Sequence, residues 1–255
     1  MGTMHRLASQ AGSADPEEGS SPFVEQEAAD LVLLSSADTD LAAVSALLAA
    51  EPDLIGSSLR ALNLAALSHP AVLDHYVATT LSAALVVVVR LLGGRGHWSY
   101  GLERLQLWSR AAPGRTLLVL AGTAEEERSL AELGNAPVDL SLSLAGCLRE
   151  GGAGNLRQLL RCLEQLRLHQ SPALPVLEPA ADPLPHDWRD EPGARVGVIL
   201  YRALRQAGDL DLMEATLTNL RARGLAPRAL WVSNLRDAAV QDGVGALFQI
   251  GRAHV

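Results

Sequence analysis

The sequence predicts an α/β protein: a doubly wound, mostly parallel sheet domain with extra closing helices, followed by the start of a second α/β domain. Three observations carry this. Strand-like apolar runs alternate with helical periodicity over about four units. One of these runs, residues 84–92, holds four consecutive valines at 86–89 and ends in glycines, the pattern of a parallel strand buried on both faces. A proline-dense stretch then separates this alternation from a second, shorter one.

Residues 1–26 carry Gly, Ser, Pro and acid without periodicity, so a loose start with one short strand is expected. Residues 30–34 form the first firm strand, closed by Ser35 and Ser36, and Asp38 or Thr39 can then cap a helix. Leu41, Val44, Leu47 and Leu48 share one face of that helix. Residues 58–64 read as strand, and 70–81 as helix, with Pro70 in the first turn and His69 just before it. The valine strand runs into Gly93, Gly94, Arg95 and Gly96; residues 100–110 are then helix, 115–120 strand and 124–133 helix. From 138 to 168 the signal is helical only, broken at Gly151, Gly152 and Gly154, and these helices should close the first domain.

That domain is placed at residues 1–168. Pro172, Pro175, Pro179, Pro183 and Pro185 crowd residues 169–192, which predicts an extended linker without regular structure. Beyond it, 195–201 is strand, 210–223 a helix ending at Gly224, 228–233 strand, and 236–248 the start of a helix. Residues 193–248 thus hold about one and a half units of a second domain. A half-built parallel sheet cannot bury both faces, so the expectation is a truncated piece of a longer protein. The last seven residues, QIGRAHV at 249–255, match a common sequencing adapter read in frame and are expected to be an artefact.

Composition excludes several chemistries. With 48% hydrophobic and 20% charged residues, folded cores rather than disorder are the default. A net charge of -8 offers no basic stripe for a nucleic acid. All 21 Lys and Arg residues are Arg, which fits the codon bias of a GC-rich genome and leaves no Lys for a phosphate-binding loop or a Schiff base. Cys147 and Cys162 lie in helical segments without metal-site or redox spacing and read as buried apolar groups in a reducing compartment. The start is too acidic for a signal peptide, and the longest apolar run, 81–92, is interrupted by Arg90 and falls short of the about 20 residues that span a bilayer. A cytoplasmic protein without membrane or nucleic-acid partner is expected.

Four blocks hold more identity than an α/β scaffold requires: SLRALNLAALSHPAVLDHY at 58–76, VVVVRLLGGRGHWSYG at 86–101, EGGAGNLRQLL at 150–160 and ILYRALRQAGDL at 199–210. In order and spacing they resemble the amino-terminal third of the cobaltochelatase large subunit, a relative of the magnesium chelatase large subunit, over roughly residues 4–248. Departures occur at Gly96-His97, Ala153 and Asp209, where a small polar residue with an aromatic, Pro and Asn are expected. The resemblance implies a subunit that binds hydrogenobyrinic acid a,c-diamide and cobalt, with two smaller partners forming an ATPase complex. It also implies that the metal-inserting residues lie outside this fragment, which would be inactive alone, bind no cofactor itself, and leave cobalt and ATP to the full complex. Two other readings compete: a magnesium chelatase fragment acting on a porphyrin, and a non-catalytic flavodoxin-like binding module.

The segment from Arg90 to Tyr100 has a physical case of its own. Glycines at the carboxyl end of a parallel strand let backbone N–H groups approach an anion, and ligands of open α/β sheets gather at that edge. Gly93 and Gly94 supply the turn, Arg90 and Arg95 can pair with carboxylates, and His97, Trp98 and Tyr100 offer planar surfaces for a macrocycle with acid and amide arms. A packed glycine turn over aromatics is the bland account of the same residues. In the second domain Tyr201 and Arg202 are the candidates, with a plain salt bridge as the alternative for Arg202. His69 and His75 fall on different helical faces, which argues against a shared metal, and capping or packing is the expected role of His69. Asp38 and Asp40 resemble an acidic phosphoacceptor pocket, yet helix capping accounts for them.

Overall fold

A computed structural model of the chain describes residues 6–8, 23–123 and 127–248. The expectation for 249–255 lies outside the described residues. The chain divides into two compact units between Glu178 and Pro179.

The first unit opens with β1 (Arg6–Ala8), β2 (Leu31–Ser35), α1 (Asp38–Ala50) and β3 (Leu59–Asn63). It continues through α2 (Pro70–Ala78), β4 (Val86–Leu91), α3 (Ser99–Arg110), β5 (Thr116–Ala121), α4 (Glu127–Ala131), α5 (Val138–Glu150) and α6 (Gly152–Arg167). The sheet order is β1-β3-β2-β4-β5 and all of its pairings are parallel.

The side-chain period of two explains why the runs are apolar throughout. Ala61, Leu33, Val88 and Leu118 sit in register across four strands and face a core completed by α1, α5 and α6. Their neighbours Leu62, Leu34, Val89 and Val119 face the opposite core, completed by Leu73 and Tyr76 of α2, Leu102 and Leu105 of α3, and Leu130 of α4. Both faces are dry, and each buried Leu or Val contributes about 1.5–3 kcal/mol. The closing helices α5 and α6 are therefore the cover of one sheet face, not an appendage to it. Only Gly151 separates them, at φ 64°; Gly154 lies inside α6.

Two local expectations need correction. Helix α1 has Ala37 at its N-cap with no side-chain cap, while Asp38 accepts a hydrogen bond from Asn63 Nδ2 at 2.7 Å. The proline-dense stretch is also not a free linker. Asn155 of α6 bonds both the N–H and the C=O of Glu178, and Gln158 does the same for Val176, so side-chain amides hold the backbone that the prolines keep out of regular structure. Farther on, Leu184–His186 forms β6, an edge strand, where the missing N–H of Pro185 is tolerated.

The second unit continues with β7 (Ala194–Tyr201), α7 (Arg202–Gln206), α8 (Asp211–Ala222), β8 (Leu225–Val232) and α9 (Ala238–Phe248). Its sheet order is β6-β8-β7, with β7 parallel and β6 antiparallel to β8. Helix α8 covers one face and α9 the other. Among the described residues no helix is long and apolar enough to cross a membrane.

Candidate functional site

Strand β4 is buried along its whole length and leaves the core at Leu92, which is exposed. The chain then turns through Gly93 and Gly94 at φ 98° and 76°, values that side chains with a Cβ rarely adopt. The His97 imidazole lies over this turn, so close that a Cβ on Gly93 would come within 2.7 Å of the ring. Arg95–Trp98 forms a short 3-10 turn, and α3 begins at Ser99. Arg95 and His97 are exposed, whereas Trp98 is half-buried and donates from Nε1 to Leu67 O at 3.4 Å. The Tyr100 hydroxyl donates to Asp74 Oδ2 at 2.8 Å, and Arg104 approaches Oδ1 of the same carboxylate at 2.6 Å. Hydrogen bonding to Asp74, more than burial, raises the Tyr100 pKa above its ordinary range. These contacts tie the segment to α2 and present Arg95 and His97 outward.

The winding of the sheet places a topological switch point beside this turn. The chain passes from β2 to β3 and then returns past β2 to β4, so the carboxyl ends of β2 and β4 diverge, where ligands of open sheets bind. Protein groups fill this gap. Ser36 donates from N and Oγ to Arg90 O at 3.0 and 3.2 Å. Below it the Arg90 guanidinium, only 7% exposed, pairs with Asp40 and reaches Gly122 O at 3.5 Å. The second oxygen of Asp40 accepts from Ser35 Oγ at 2.5 Å. Arg90 thus points inward, away from the outward-facing Arg95. Asp40 is therefore the partner of Arg90 and not a helix cap; the signal that finds it is the Arg inside an apolar strand, since a buried guanidinium demands a nearby acid.

Two shallow cavities, of about 380 Å³ beside Ser82, Trp108 and Arg115 and about 300 Å³ beside Gly114, Asn135 and His169, lie at the opposite, amino-terminal edge of the sheet. The Gly93 turn lines neither of them.

In the second unit Tyr201, 59% exposed, ends β7, and Arg202 begins α7 but is buried. Arg202 donates to Ala180 O at 3.3 Å and lies 3.9 Å from Asp182, whose carboxylate accepts from Ser233 N. The salt-bridge account of Arg202 therefore fits its surroundings, with the acid supplied by the proline-dense stretch.

Among the described residues no three of His, Cys, Asp and Glu gather as a metal site. His69 caps α2, its Nδ1 accepting from Ala71 N at 3.2 Å, and His75 packs on Phe23. Cys147 and Cys162 are buried in α5 and α6; burial, and then the neighbouring Cys162, push the Cys147 thiol up to about 11.

No family model matches the chain. The aerobic cobaltochelatase subunit CobN of Pseudomonas aeruginosa is 32% identical over 249 residues, covering 92% of this chain and 20% of that protein. The subunit of the same name from Sinorhizobium sp is 31% identical over 267 residues, covering 96% of this chain and 20% of that protein. Nearly the whole chain is thus similar to a stretch of these aerobic cobaltochelatase subunits. It spans about one fifth of the length of these cobaltochelatase relatives, and coverage this high takes in both compact units. The catalytic subunit of cobaltochelatase from Mycobacterium tuberculosis shares the fold, with a TM-score of 0.55 and 23% identity over 84% of this chain and 17% of that one.

Proposed function

We propose that this chain is part of the corrinoid-binding subunit of an ATP-dependent cobaltochelatase, which inserts cobalt into hydrogenobyrinic acid a,c-diamide in aerobic cobalamin biosynthesis. The observation that carries this is the 32% identity to an aerobic cobaltochelatase subunit over 92% of the chain. Cobalt and the corrin are substrates of the whole complex, and the residues that move the metal belong to the remaining length of the protein. ATP hydrolysis falls to two smaller partner subunits in the cytoplasm, and the stretch of the large subunit in hand, whose cations are all Arg, carries no Lys-type phosphate loop.

Within the chain, the Gly93–Tyr100 segment is the proposed contact with the periphery of the macrocycle. The Arg95 fork pairs with a carboxylate arm in bidentate fashion, and the glycine backbone admits a close approach. His97, Trp98 and Tyr100 supply planar surface, with Trp98 and Tyr100 already oriented by Leu67 O and Asp74. Arg90 acts as a positioning residue, fixing the end of β4 through Asp40. In the second unit Tyr201 offers surface, and Arg202 positions the start of α7.

The test has two arms. A chimera in which residues 1–248 replace the aligned part of the P. aeruginosa subunit, assayed with its partner subunits, should insert cobalt into the corrin diamide; an inert but folded chimera would count against the family function. Separately, the 255-residue chain is titrated with hydrogenobyrinic acid a,c-diamide and, as control, protoporphyrin. The corrin should raise the melting temperature, and Arg95→Ala should weaken its binding about tenfold to a hundredfold, the worth of about 1.5–3 kcal/mol for a charged hydrogen-bonded pair. A corrin-induced shift that Arg95→Ala leaves unchanged would remove the turn from the site.

A further inference from the structure

The second unit changes its winding direction. Strand β7 passes to β8 through α8, and Met213 and Leu217 of α8 pack on the face formed by Val198, Leu200, Ala229 and Trp231. Helix α9 packs on the other face, Val240 and Val244 against Leu230 and Val232. Connections between parallel strands are right-handed in about 98% of cases, so moving the helix to the opposite face reverses the direction in which the next parallel strand is laid. That strand belongs back past β8, on the far side of β7.

Helix α9 already heads that way. Its last residue, Phe248, lies over Gly197 of β7, where a Cβ would come 3.0 Å from the ring. The first unit carries out the same plan in full. Helix α1 lies on one face after β2, α2 lies on the other after β3, and the following strand, β4, pairs with the free side of β2.

Strand β7 meanwhile stands at the edge of its sheet. It is eight residues long, and among the described residues no strand lies on its outer side. Ile199 and Tyr201 are 38% and 59% exposed, and from Gly197 to Tyr201 the strand has no charge, proline or bulge of the kind that protects free edges.

We infer that the outer edge of β7 is a strand-docking surface, and that its occupant is a parallel, apolar β-strand of the longer cobaltochelatase polypeptide, connected through α9. Main-chain hydrogen bonds along β7 would hold it, and its side chains would cover Ile199 and Tyr201. Docking turns β7 from an edge into an inner strand. It makes the carboxyl end of β7, with Tyr201 and Arg202, the switch point of the second unit. Neither the edge nor the winding depends on which tetrapyrrole the protein binds, so this can hold or fail apart from the corrin assignment.

Amide hydrogen exchange tests it. One sample is the 255-residue chain; the other carries, after Phe248, the segment that follows the aligned helix in the P. aeruginosa subunit, long enough for a turn and one strand. The alternate β7 amides that point away from β8 should exchange freely in the first and slow by at least about 100-fold in the second. Ile199→Lys in the extended chain should abolish that protection while β8 amides stay protected, which shows that the unit remains folded. If the extended chain aggregates, the same segment added as a synthetic peptide gives the same readout. Protection gained at β6 instead, or unchanged β7 exchange beside a protected β8, overturns the proposal. So does β7 already protected in the 255-residue chain with a dimeric mass, since the occupant would then be a second copy.

Discussion

Removing the charge of Asp40 should unfold the first unit at a markedly lower temperature, although Asp40 touches no solvent-facing group of the proposed site. Arg90 and Asp40 are each 7% exposed and sit at the rim of two apolar cores. In Asp40→Asn the Arg90 guanidinium stays buried with a neutral acceptor in place of its counter-charge and with Gly122 O at 3.5 Å. Breaking a buried pair from one side costs about 3–5 kcal/mol, and because Asn still accepts from Ser35 the lower figure applies. At about 2–4 °C per kcal/mol for a unit of this size, the melting temperature falls by about 6–12 °C. The double variant Asp40→Leu, Arg90→Met removes both charges and should lie within about 1 kcal/mol of the parent, or above it. Calorimetry of the parent, Asp40→Leu, Arg90→Met and the double variant closes the cycle, with Asp40→Asn measured beside them. A loss under about 1 kcal/mol in Asp40→Asn, or a double variant as weak as the single one, would refute the claim that this pair seals the edge.

Gly93→Ala should cost about 1–3 kcal/mol, since Ala is strained at φ 98° and its methyl would displace the His97 ring; a urea melt and the His97 imidazole resonances read the two effects separately. Cys147 makes stability fall at alkaline pH. Its folded pKa is raised from 9.0 to about 11, so its contribution is intact below pH 9 and is lost as the pH climbs toward 11, because the unfolded chain ionises first. Urea melts across that window should show a shallower fall in Cys147→Ala, and an identical slope in the two proteins would contradict the burial that raises the thiol.

The sheet of the first unit was legible because its strands are buried on both faces. Val86 to Val89 are apolar without alternation, and no helix of an ordinary amphipathic kind reads that way. The cap at His69 was legible too, since Pro70 fixes the first turn. Other features were hidden for physical reasons. Strand β6 has Leu184 and His186 around a proline, and only its pairing to β8 makes it a strand. Helix α7 is five residues long, too short for periodicity to register. The partnership of Asp40 with Arg90 spans fifty residues of sequence and depends on strand order, which composition does not encode. At the proposed site, the glycine turn and its aromatics were visible as residue types; that Arg90 is buried inside β4 while Arg95 stands exposed beyond the Gly93-Gly94 turn depends on where the strand ends, which only the fold defines.

The two units treat arginine alike at their carboxyl edges, and this narrows which arginine is available to a ligand. Arg90 in the first unit and Arg202 in the second are both buried, and each lies against an aspartate, Asp40 and Asp182, brought in from another segment. Recruiting Arg90 for a substrate carboxylate would mean parting a buried ion pair at a cost of several kcal/mol, and recruiting Arg202 would mean pulling it from Ala180 O and the nearby Asp182. Arg95 carries no such cost: it stands exposed on a turn whose backbone is fixed by Gly93 and Gly94, and no acid among the described residues pairs with it. The edge arginines set the position of the turn, and the turn arginine is left to meet an incoming acid.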